Sequence, residues 1–441
     1  MSSRRTPSHI QSAFYRIIHE MSSCPDPFVV NPGIDFTRHR ICTFENTILT
    51  LLTMESHSLN RELFEFYRFH NKPIPTKSAF VQAKGKLTIQ SLAHLFHRFN
   101  QSIPFQKSFR GMHLIGCDGT DSNIPACAGD DSSFIPLRCG YYQNHITVLY
   151  DLLEKRYLDW VVQPRREADE HDACVQMVNR NSLNGSCLFI ADRGFCSYNL
   201  LAHIIEKGQF FLIRSKDICS LNSPFYHTFV PNDDEFDIPV KFILTRNSKL
   251  QNRNNEHANH NYAVKYLRPS RKFDFIQIGD FSSQYALSLR LVKVKLSEDN
   301  FEYLITNLPV KKCSVSDLKE LYHLRWKIET SFLFLKYGIG MNYFHSVRRD
   351  FIELEIVSRL IMSNYISLMI SCALPAQRNS ITIYTISVSD AIYKCRLFLL
   401  QPMPNRHFLQ LLSRDTVPIR AGRSFNRKVR SQILKSFQNR T

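Results

Sequence analysis

The sequence predicts an α/β protein in which a mixed five-stranded sheet, flanked by helices, lies between an all-α amino-terminal region and a helical carboxyl-terminal region. Three observations support this class. Residues 1–105 carry apolar residues at helical spacing, and Gly85 is the one glycine between Asp35 and Gln101. From Met112 onward, short apolar runs alternate with helical segments. With 441 residues, the chain is long enough for two or three domains.

Helices account for the first region because no alternating strand pattern appears there. Their predicted ranges are His9–Met21, Phe36–Met54, Leu59–Phe69 and Lys77–Phe99. The composition changes at Met112, where MHLIGCD is an apolar run that ends on an acid, as a buried strand at a sheet edge would. We therefore place a domain boundary near residue 105.

The central region has the order β-β-β-α-β-α-β. The predicted segments are, in that order, Met112–Asp118, His145–Leu152, Tyr157–Gln163, Glu167–Asn179, Ser186–Asp192, Tyr198–Lys207 and residues 209–215. The first three strands form a meander, and the later strands alternate with helices. This order is that of the core of the ribonuclease H-like fold.

Residues 217–309 read as a β-rich insertion. Strand-like alternations are predicted at Val240–Leu244, Tyr262–Tyr266, Phe273–Ile278, Leu287–Leu296 and Phe301–Thr306. A polar stretch rich in Asn and His, from Asn247 to Asn261, lies among them. Strong helical patterns follow from Val315 to Lys336 and from Arg349 to Cys372, and the chain then ends in a basic tail.

The charge balance favours a polyanionic partner. The chain has 56 Lys and Arg against 39 Asp and Glu, a formal net charge of +17. Such an excess stabilises complexes with nucleic acid through counterion release, and an anionic membrane is the weaker candidate. The most apolar segment, Leu354 to Leu374, is interrupted by charged residues, so we expect a buried helix and no membrane span.

Neither cysteine spacing nor the amino terminus indicates export. The twelve cysteines contain no CxxC pair, so no zinc or iron–sulfur site is predicted, and they read as reduced thiols. The amino terminus is charged where a signal peptide needs an uninterrupted apolar stretch. We therefore expect a cytoplasmic protein.

Asp118 and Asp192 each end a predicted apolar strand. Because ligands gather at the carboxyl ends of parallel strands, these two carboxylates should lie side by side. Either acid taken alone could simply form a turn. We favour Asp118 over Asp121 because Asp118 ends the apolar run, and we expect Asp121 to form a turn or to support the site. No role is assigned to His145, His171 or His323.

A third element is the helix around LYHLRWKIETSFLFLKY. On one straight helix, a stripe about 60° wide contains Tyr322, Arg325, Glu329 and Lys336, next to an apolar face. Such a stripe suits a phosphodiester lying along the helix, with Glu329 binding metal and the two cations holding phosphate. Ion pairing between Arg325 and Glu329 on an exposed face is the alternative.

These four residues match the Tyr-x2-Arg-x3-Glu-x6-Lys signature of the DDE transposases of bacterial insertion sequences, in the insertion-sequence-four family. ADRGF and CDGTD resemble the two aspartate motifs of that family, and the resemblance covers about residues 106–345. It implies a ribonuclease H-like catalytic domain with a β-rich insertion between Asp192 and Glu329. It also implies that two Mg²⁺ ions, for which Mn²⁺ can substitute, bind to Asp118, Asp192 and Glu329.

The resemblance also implies contacts to the DNA near the transposon end from Tyr322, Arg325 and Lys336. No counterpart is evident for the aromatic residue that holds a flipped base in some relatives. Trp326 and Phe195 lie near the site, and we expect both to pack in the core.

The residues and the resemblance together predict a DNA transposase that cleaves and joins strands at the terminal inverted repeats of an insertion sequence. We expect it to act on double-stranded DNA as a homodimer and to be associated with the bacterial nucleoid. Two alternatives remain open: a metal-dependent nuclease with the same core that does not join strands, and a catalytically inactive relative that only binds DNA.

Three domains follow from this interpretation: a helical DNA-binding domain (residues 1–105), a catalytic domain (residues 106–345, insertion at about 217–309) and a helical region with a basic tail (residues 346–441). The segment from Lys77 to Phe99 could supply the second helix of a helix-turn-helix, or belong to a generic bundle. The tail from Pro402 to Thr441 has nine Lys or Arg against one Asp, so it could contact DNA or be a solvated face.

Overall fold

A computed structural model gives the architecture of the chain for residues 5–38, 40–127, 129–137, 140–218, 220, 223–226, 231, 233–250, 262–298, 300–377 and 382–419. In this part of the chain, helices flank a ten-stranded mixed sheet, and a second sheet has two strands. The predicted mixed α/β class is confirmed.

The amino-terminal region is helical, as predicted. Its helices are α1 (Pro7–Ser23), α2 (Phe44–Thr53), α3 (Leu59–Phe69), α4 (Lys77–Lys84) and α5 (Ile89–Ser102). Two predicted ranges were wrong. The helix predicted from Phe36 begins at Phe44, because the Thr43 hydroxyl accepts a hydrogen bond from the amide of Asn46 and caps it. The helix predicted over Lys77–Phe99 is divided in two, because α4 ends at Gly85 and a new helix begins after Thr88.

The central elements follow the predicted order, with one additional short strand, Phe134–Ile135, that was not predicted. They are β1 (Met112–Ile124), β2 (Phe134–Ile135), β3 (Tyr141–Asp151), β4 (Arg156–Pro164), α6 (Glu170–Arg180), β5 (Ser186–Ala191), α7 (Tyr198–Glu206) and β6 (Phe210–Arg214). The five predicted strands are neighbours in the order β4-β3-β1-β5-β6. β1 pairs antiparallel with β3 and parallel with β5, and β5 pairs parallel with β6.

The boundary of β1 differs from the prediction. We expected the strand to end at Asp118, but it continues to Ile124, and Asp118 lies opposite Val148 on β3. The reason is the antiparallel partner: β3 goes on pairing with β1 after the parallel pairing with β5 has stopped at Cys117.

The predicted insertion extends the central sheet. Its strands are β7 (Phe236–Thr245), β8 (Tyr262–Tyr266), β9 (Gln284–Ser297) and β10 (Asn300–Thr306). β10 pairs antiparallel with β6, and β9, β7 and β8 follow, so a sheet predicted to have five strands has ten. Pairing with β10 covers the edge that β6 would otherwise expose. The strand predicted at Phe273–Ile278 is absent; the Phe273 and Phe275 rings instead pack on Tyr285. Residues 251–261 of the polar stretch lie outside the described residues.

The helix predicted from Val315 to Lys336 is interrupted. α8 (Val315–His323) ends before Leu324, α9 (Trp326–Leu333) follows, and a π-helical turn (Phe334–Gly338) completes the segment. The break at Leu324 and Arg325 means that the four signature residues do not lie on one straight helix.

The rest of the chain consists of α10 (Arg349–Ser371), β11 (Tyr384–Ile386), α11 (Val388–Leu400), α12 (Asn405–Arg414) and β12 (Thr416–Pro418). Phe408 of the predicted basic arm is buried and stacks on Phe398, with the ring centroids 4.2 Å apart. Phe425 and Phe437 lie outside the described residues. None of the helices in the described ranges combines the length and the apolar character needed to cross a bilayer.

Two hydrophobic cores cover the two faces of the sheet. One core contains α10, together with apolar residues of the amino-terminal helices, of α8 and α9, and of the carboxyl-terminal helices. The other contains α6, α7 and the inner face of the insertion strands. β1 lies between the two cores, so its side chains reach both α6 and the α8–α9 segment. This placement determines which groups surround Asp118.

Candidate active site

Two acids follow the end of the parallel pairing in the middle of the sheet. Cys117 on β1 and Ala191 on β5 are the last paired residues, and Asp118 and Asp192 come directly after them. Each carboxylate accepts a hydrogen bond from the next backbone amide, that of Gly119 at 2.9 Å and that of Arg193 at 2.7 Å. The two acids therefore lie on neighbouring strands, as the sequence predicts.

Arg325 connects the first acid to the third one. Its Nη1 atom lies 3.5 Å from Oδ2 of Asp118, and its Nη2 atom lies 2.9 Å from Oε1 of Glu329. The residue stands at the junction of α8 and α9, where the backbone of Leu324 and Arg325 keeps helical dihedral angles. Only 4% of Arg325 is exposed, and its Nε atom is buried without a hydrogen-bond partner. One buried guanidinium thus joins two of the three predicted metal ligands.

Tyr322 connects the helical segment to the second acid. Its hydroxyl donates a hydrogen bond of 3.1 Å to Oδ1 of Asp192. Burial raises the pKa of Tyr322, and the neighbouring Asp192 raises it further, so the hydroxyl remains a donor at neutral pH. Tyr322 and Arg325 are both buried in this structure. The pair of Arg325 and Glu329 that the alternative interpretation expected is present, but Arg325 is not on an exposed face.

Lys336 lies farther along, in the π-helical turn. Its Nζ atom donates a hydrogen bond of 2.6 Å to the backbone oxygen of Asp121, three residues after Asp118 on β1. π-helical turns of this kind often occur at functional sites. All four residues of the signature therefore contact β1, Asp192 or one another, although the helix that carries them is broken.

Asp118 and Asp192 have opposite pKa shifts. Burial raises the pKa of Asp118 to about 6, because the hydrogen bond from Gly119 and the charge of Arg325 do not offset the loss of hydration. Burial also acts to raise the pKa of Asp192, but the amide of Arg193, the charge of Arg325 and the hydroxyl of Tyr322 outweigh it and lower that pKa. Neighbouring acids whose pKa values are shifted in opposite directions are typical of functional sites.

The chemistry of these donors fits a divalent metal ion. Carboxylate oxygens are the hard ligands that Mg²⁺ and Mn²⁺ prefer. Within the described ranges, no three carboxylate, imidazole or thiol groups are spaced to share one ion, and a guanidinium lies between Asp118 and Glu329. The Nε atom of Arg325 has no hydrogen-bond partner, so not every donor of this guanidinium is satisfied at the site. The set can therefore accept metal if Arg325 gives up its contacts.

The raised pKa of Asp118 predicts that Asp118→Asn stabilises the metal-free protein at pH 7. The ionised form of Asp118 is disfavoured in the folded state, and its removal should increase the free energy of unfolding by about 2 kcal/mol. The gain should shrink as the pH falls through 6, because the wild-type carboxyl then becomes protonated and neutral. Denaturant unfolding with a chelator at pH 5 and pH 7 measures this. A destabilised variant at pH 7 would show that the contact with Arg325 outweighs burial.

Sequence reasoning missed a charged cluster next to Asp118. The Nδ1 atom of His145 lies 2.7 Å from Oδ1 of Asp121, and its Nε2 atom lies 2.8 Å from Oε1 of Glu170. Asp121 was expected to form a turn or to support the site. It does not form a turn, because it belongs to β1 and lies directly opposite His145 on β3. The pairing of β1 with β3 places these residues together. That pairing can be inferred only when β1 is known to extend beyond Asp118.

Four other residues considered in the sequence analysis lie near the site or on its helices. Phe195 is buried, as expected, whereas Trp326 is 50% exposed, so the expectation of core packing was wrong for it. Trp326 begins α9 beside Arg325, whose guanidinium carbon lies 5.2 Å from the centre of the indole ring. His171 contacts the backbone oxygen of Gly194, and His323 is exposed.

Comparison with known proteins identifies the family. The sequence profile of the family described as "Transposase DDE domain" matches residues 131–365, which is just over half of the 441 residues. The chain therefore belongs to this family. It is a DNA transposase, and thus an enzyme of DNA transposition. The match includes Asp192 and Glu329 and begins after Asp118. DDE transposase domains generally use divalent metal ions.

Among solved structures, the chain is similar to the piggyBac transposase in its synaptic complex with hairpin DNA. The TM-score is 0.44 and the sequence identity 12%, over 93% of this chain and 85% of that chain. No curated protein matches the chain.

Proposed function

We propose that this transposase is of the insertion-sequence-four type and that it cleaves and joins DNA strands at the terminal inverted repeats of an insertion sequence. Asp118, Asp192 and Glu329 are the proposed catalytic acids. The observation that carries the proposal is that the signature residues contact all three acids. Arg325 pairs with Asp118 and Glu329, and Tyr322 donates a hydrogen bond to Asp192. The strand order β4-β3-β1-β5-β6 supports a ribonuclease H-like core.

The three carboxylates would hold two Mg²⁺ ions, with Mn²⁺ as a substitute. Bound ions of this kind supply the Lewis acidity that activates water or a DNA 3′-hydroxyl and stabilises the leaving oxygen. The chain itself positions these carboxylates: Asp118 and Asp192 follow neighbouring strands of the sheet, and Arg325 pairs with both Asp118 and Glu329. No covalent enzyme intermediate is needed, since the attacking group is water or the DNA hydroxyl.

The cationic and phenolic residues of the signature have a second proposed role as DNA contacts. In the DNA-free structure, Arg325 and Tyr322 bind the carboxylates, and Lys336 binds a backbone oxygen. Phosphate oxygens are competing partners for a guanidinium and an ammonium, and Arg pairs with them in a bidentate way. DNA binding would thus draw Arg325 from the acids and leave them free to hold metal.

The remaining proposals concern assembly. The partner is double-stranded DNA at the transposon ends and at the target, and a homodimer acts on paired ends near the bacterial nucleoid. We divide the chain into residues 1–105 for DNA binding, 106–345 for catalysis with the insertion at about 217–309, and 346–441 as a helical region. The formal charge of +17 supports the nucleic-acid partner.

A strand-transfer assay tests the function. The full chain is incubated with Mg²⁺ and a duplex bearing the inverted repeats that flank its gene, together with a target plasmid. Joined product is expected. Cut product without joining would instead identify the nuclease alternative, and a mobility shift without cutting would identify the DNA-binding relative. A duplex with scrambled ends is the control, and cleavage of both duplexes alike would contradict the proposed substrate.

Arg325→Gln should increase the affinity of the DNA-free protein for Mn²⁺ about 10-fold, because it removes a cation that lies between two of the proposed ligands. Titration calorimetry measures this affinity without any DNA chemistry. Arg348→Gln is the matched control, since Arg348 pairs with Asp350 on the surface. A weaker affinity in Arg325→Gln would show that the guanidinium holds the carboxylates in place rather than excluding metal.

A further inference from the structure

We propose that His145 is a positioning residue for the transposase reaction: it braces the β1 segment after Asp118 against the first turn of α6, and so fixes the spacing of the two strand-end acids. This inference rests on the proposed function, because it assumes that Asp118 and Asp192 act together. His145 contacts neither acid, so it would act through the backbone that carries them.

The contacts of His145 link three elements. The residue belongs to β3 and lies opposite Asp121, which is part of β1. Its Nδ1 atom is 2.7 Å from Oδ1 of Asp121, and its Nε2 atom is 2.8 Å from Oε1 of Glu170, the first residue of α6. Only 4% of the residue is exposed. A single buried ring therefore holds β1, β3 and the start of α6 together.

Gly119 makes room for this ring. A Cβ atom on Gly119 would lie 2.3 Å from Nε2 of His145 and 2.7 Å from Oε1 of Glu170, closer than real Cβ atoms come to their neighbours. The imidazole thus occupies the space beside the residue that directly follows Asp118. Any side chain at Gly119 would displace the ring or bend β1 at the proposed catalytic acid.

The first turn of α6 also touches the loop after the second acid. His171 contacts the backbone oxygen of Gly194, and Oε2 of Glu170 lies 4.0 Å from where a Cβ of Gly194 would stand. Gly119 follows Asp118 by one residue, and Gly194 follows Asp192 by two. The same helical turn therefore reaches the backbone beside both acids, and His145 is the buried group that anchors this turn to β1.

The charge of His145 favours the same role. Burial alone would lower its pKa, but the pairs with Asp121 and Glu170 outweigh burial and raise the pKa to about 9. At neutral pH the ring is thus an imidazolium that is hydrogen-bonded to Asp121 and in ion-pair contact with Glu170, where its Nε2 atom lacks hydrogen-bond geometry. Arg165, whose Nε atom lies 3.0 Å from Oδ1 of Asp121, adds a second cation to the cluster. Glutamine, which is neutral, cannot replace the charge that these acids face.

The first experiment compares His145→Gln with the wild type. At saturating DNA, the single-turnover cleavage rate should fall about 10- to 100-fold, as expected when reacting groups shift by a fraction of an ångström to about 1 Å. The dissociation constant for the DNA should stay within about twofold, since no proposed DNA contact changes. His203→Gln is the matched control: His203 also pairs with a carboxylate, Asp274, at 2.9 Å, but on α7. Its cleavage rate should equal that of the wild type.

If His145→Gln folds poorly, a double-mutant cycle that changes side-chain size at Gly119 and His145 tests the same contact. Gly119→Ala should slow cleavage about 10-fold in the wild type, because its methyl group meets the imidazole. In a His145→Ala background the imidazole is gone, and the Glu170 carboxylate at 2.7 Å is the end of a flexible side chain that can turn away, so Gly119→Ala should cost less than about twofold further. Equal costs in the two backgrounds, or a His145→Gln rate equal to the wild-type rate, would overturn the proposal.

Manganese affinity separates this proposal from the proposed function. By titration calorimetry without DNA, His145→Gln should bind Mn²⁺ about 10-fold more weakly than the wild type, as typically follows when groups behind metal ligands are changed. If the wild type binds Mn²⁺ but cleaves no DNA, the proposed function fails. The ratio of the Mn²⁺ affinities of the wild type and His145→Gln then still tests the role of His145. Equal affinities would overturn the brace alone. A wild type that binds no Mn²⁺ even with transposon-end DNA present would overturn both proposals, since DNA is proposed to draw Arg325 away from the acids.

Discussion

Alanine in place of Asp118, Asp192 or Glu329 should reduce DNA cleavage by at least about 1,000-fold and leave the affinity for transposon-end DNA within about threefold of the wild-type value. The physical reason is that each carboxylate supplies oxygen donors at the point where Arg325 and Tyr322 converge on the strand ends. Removing a negative charge does not weaken contacts to phosphate. Cleavage is measured on end duplexes with Mg²⁺, and binding by fluorescence anisotropy without metal.

Asp234→Ala is the control for these three variants. Asp234 precedes β7 in the insertion and pairs with Lys295 at the surface, with the charged atoms 2.6 Å apart. Its cleavage rate should equal that of the wild type. A loss of DNA affinity in parallel with cleavage would contradict the catalytic assignment, because it would place the three acids in the structure of the DNA-binding surface instead.

The elements that could be predicted are those whose pattern is local. α3 and β8 begin and end where the sequence predicts. For both, the apolar periodicity lies in the segment itself, and the residues that interrupt it lie directly beside the segment. The extension of β1 beyond Asp118 could not be predicted in this way, because GTDSN is polar and its strand conformation depends on pairing with β3. Strand β10 itself was predicted, at Phe301–Thr306, but its pairing with β6 was not, because Arg214 lies 90 residues before its partner Leu304.

The candidate site shows the same division. The sequence did predict that the strand-end acids and the signature residues lie near one another, although the helix assumed to carry the signature is divided at Arg325. The burial of Tyr322 and Arg325 was not readable, because it depends on how the break packs against β1 and β5. The cluster around His145 was missed because its members come from three elements whose register only the fold defines.

A buried ion pair between the first and last helical regions was likewise beyond sequence reasoning. Nζ of Lys84 on α4 lies 2.5 Å from Oε1 of Glu355 on α10, and both side chains are almost fully buried. Glu355 also accepts a hydrogen bond of 3.0 Å from the amide of His345. From the sequence, Glu355 was only a charge that interrupts an apolar segment, because its partner is 271 residues away.

Lys84→Met should lower the free energy of unfolding by about 3–5 kcal/mol, because it leaves the Glu355 carboxylate buried without its main cation. Burial acts to raise the pKa of Glu355, but Lys84 and His345 outweigh it, and the pKa is held below its usual range. The stability contributed by this carboxylate is therefore present at neutral pH and is lost as the pH falls through the acid range. Denaturant unfolding of the metal-free protein at pH 7 measures the effect.

The double variant Lys84→Met/Glu355→Leu decides whether charge or packing is responsible for that loss. Replacing both partners with apolar groups removes the unpaired charge, so the double variant should be more stable than Lys84→Met alone. Arg61→Ala is the surface control: Arg61 pairs with Glu65 on the exposed side of α3, and its loss should leave the unfolding midpoint unchanged. If the double variant is as unstable as Lys84→Met, the loss comes from packing around α10. If it recovers, the loss in Lys84→Met comes from the unpaired charge of Glu355, and the apolar contacts of the shared core suffice to hold the amino-terminal helices against α10.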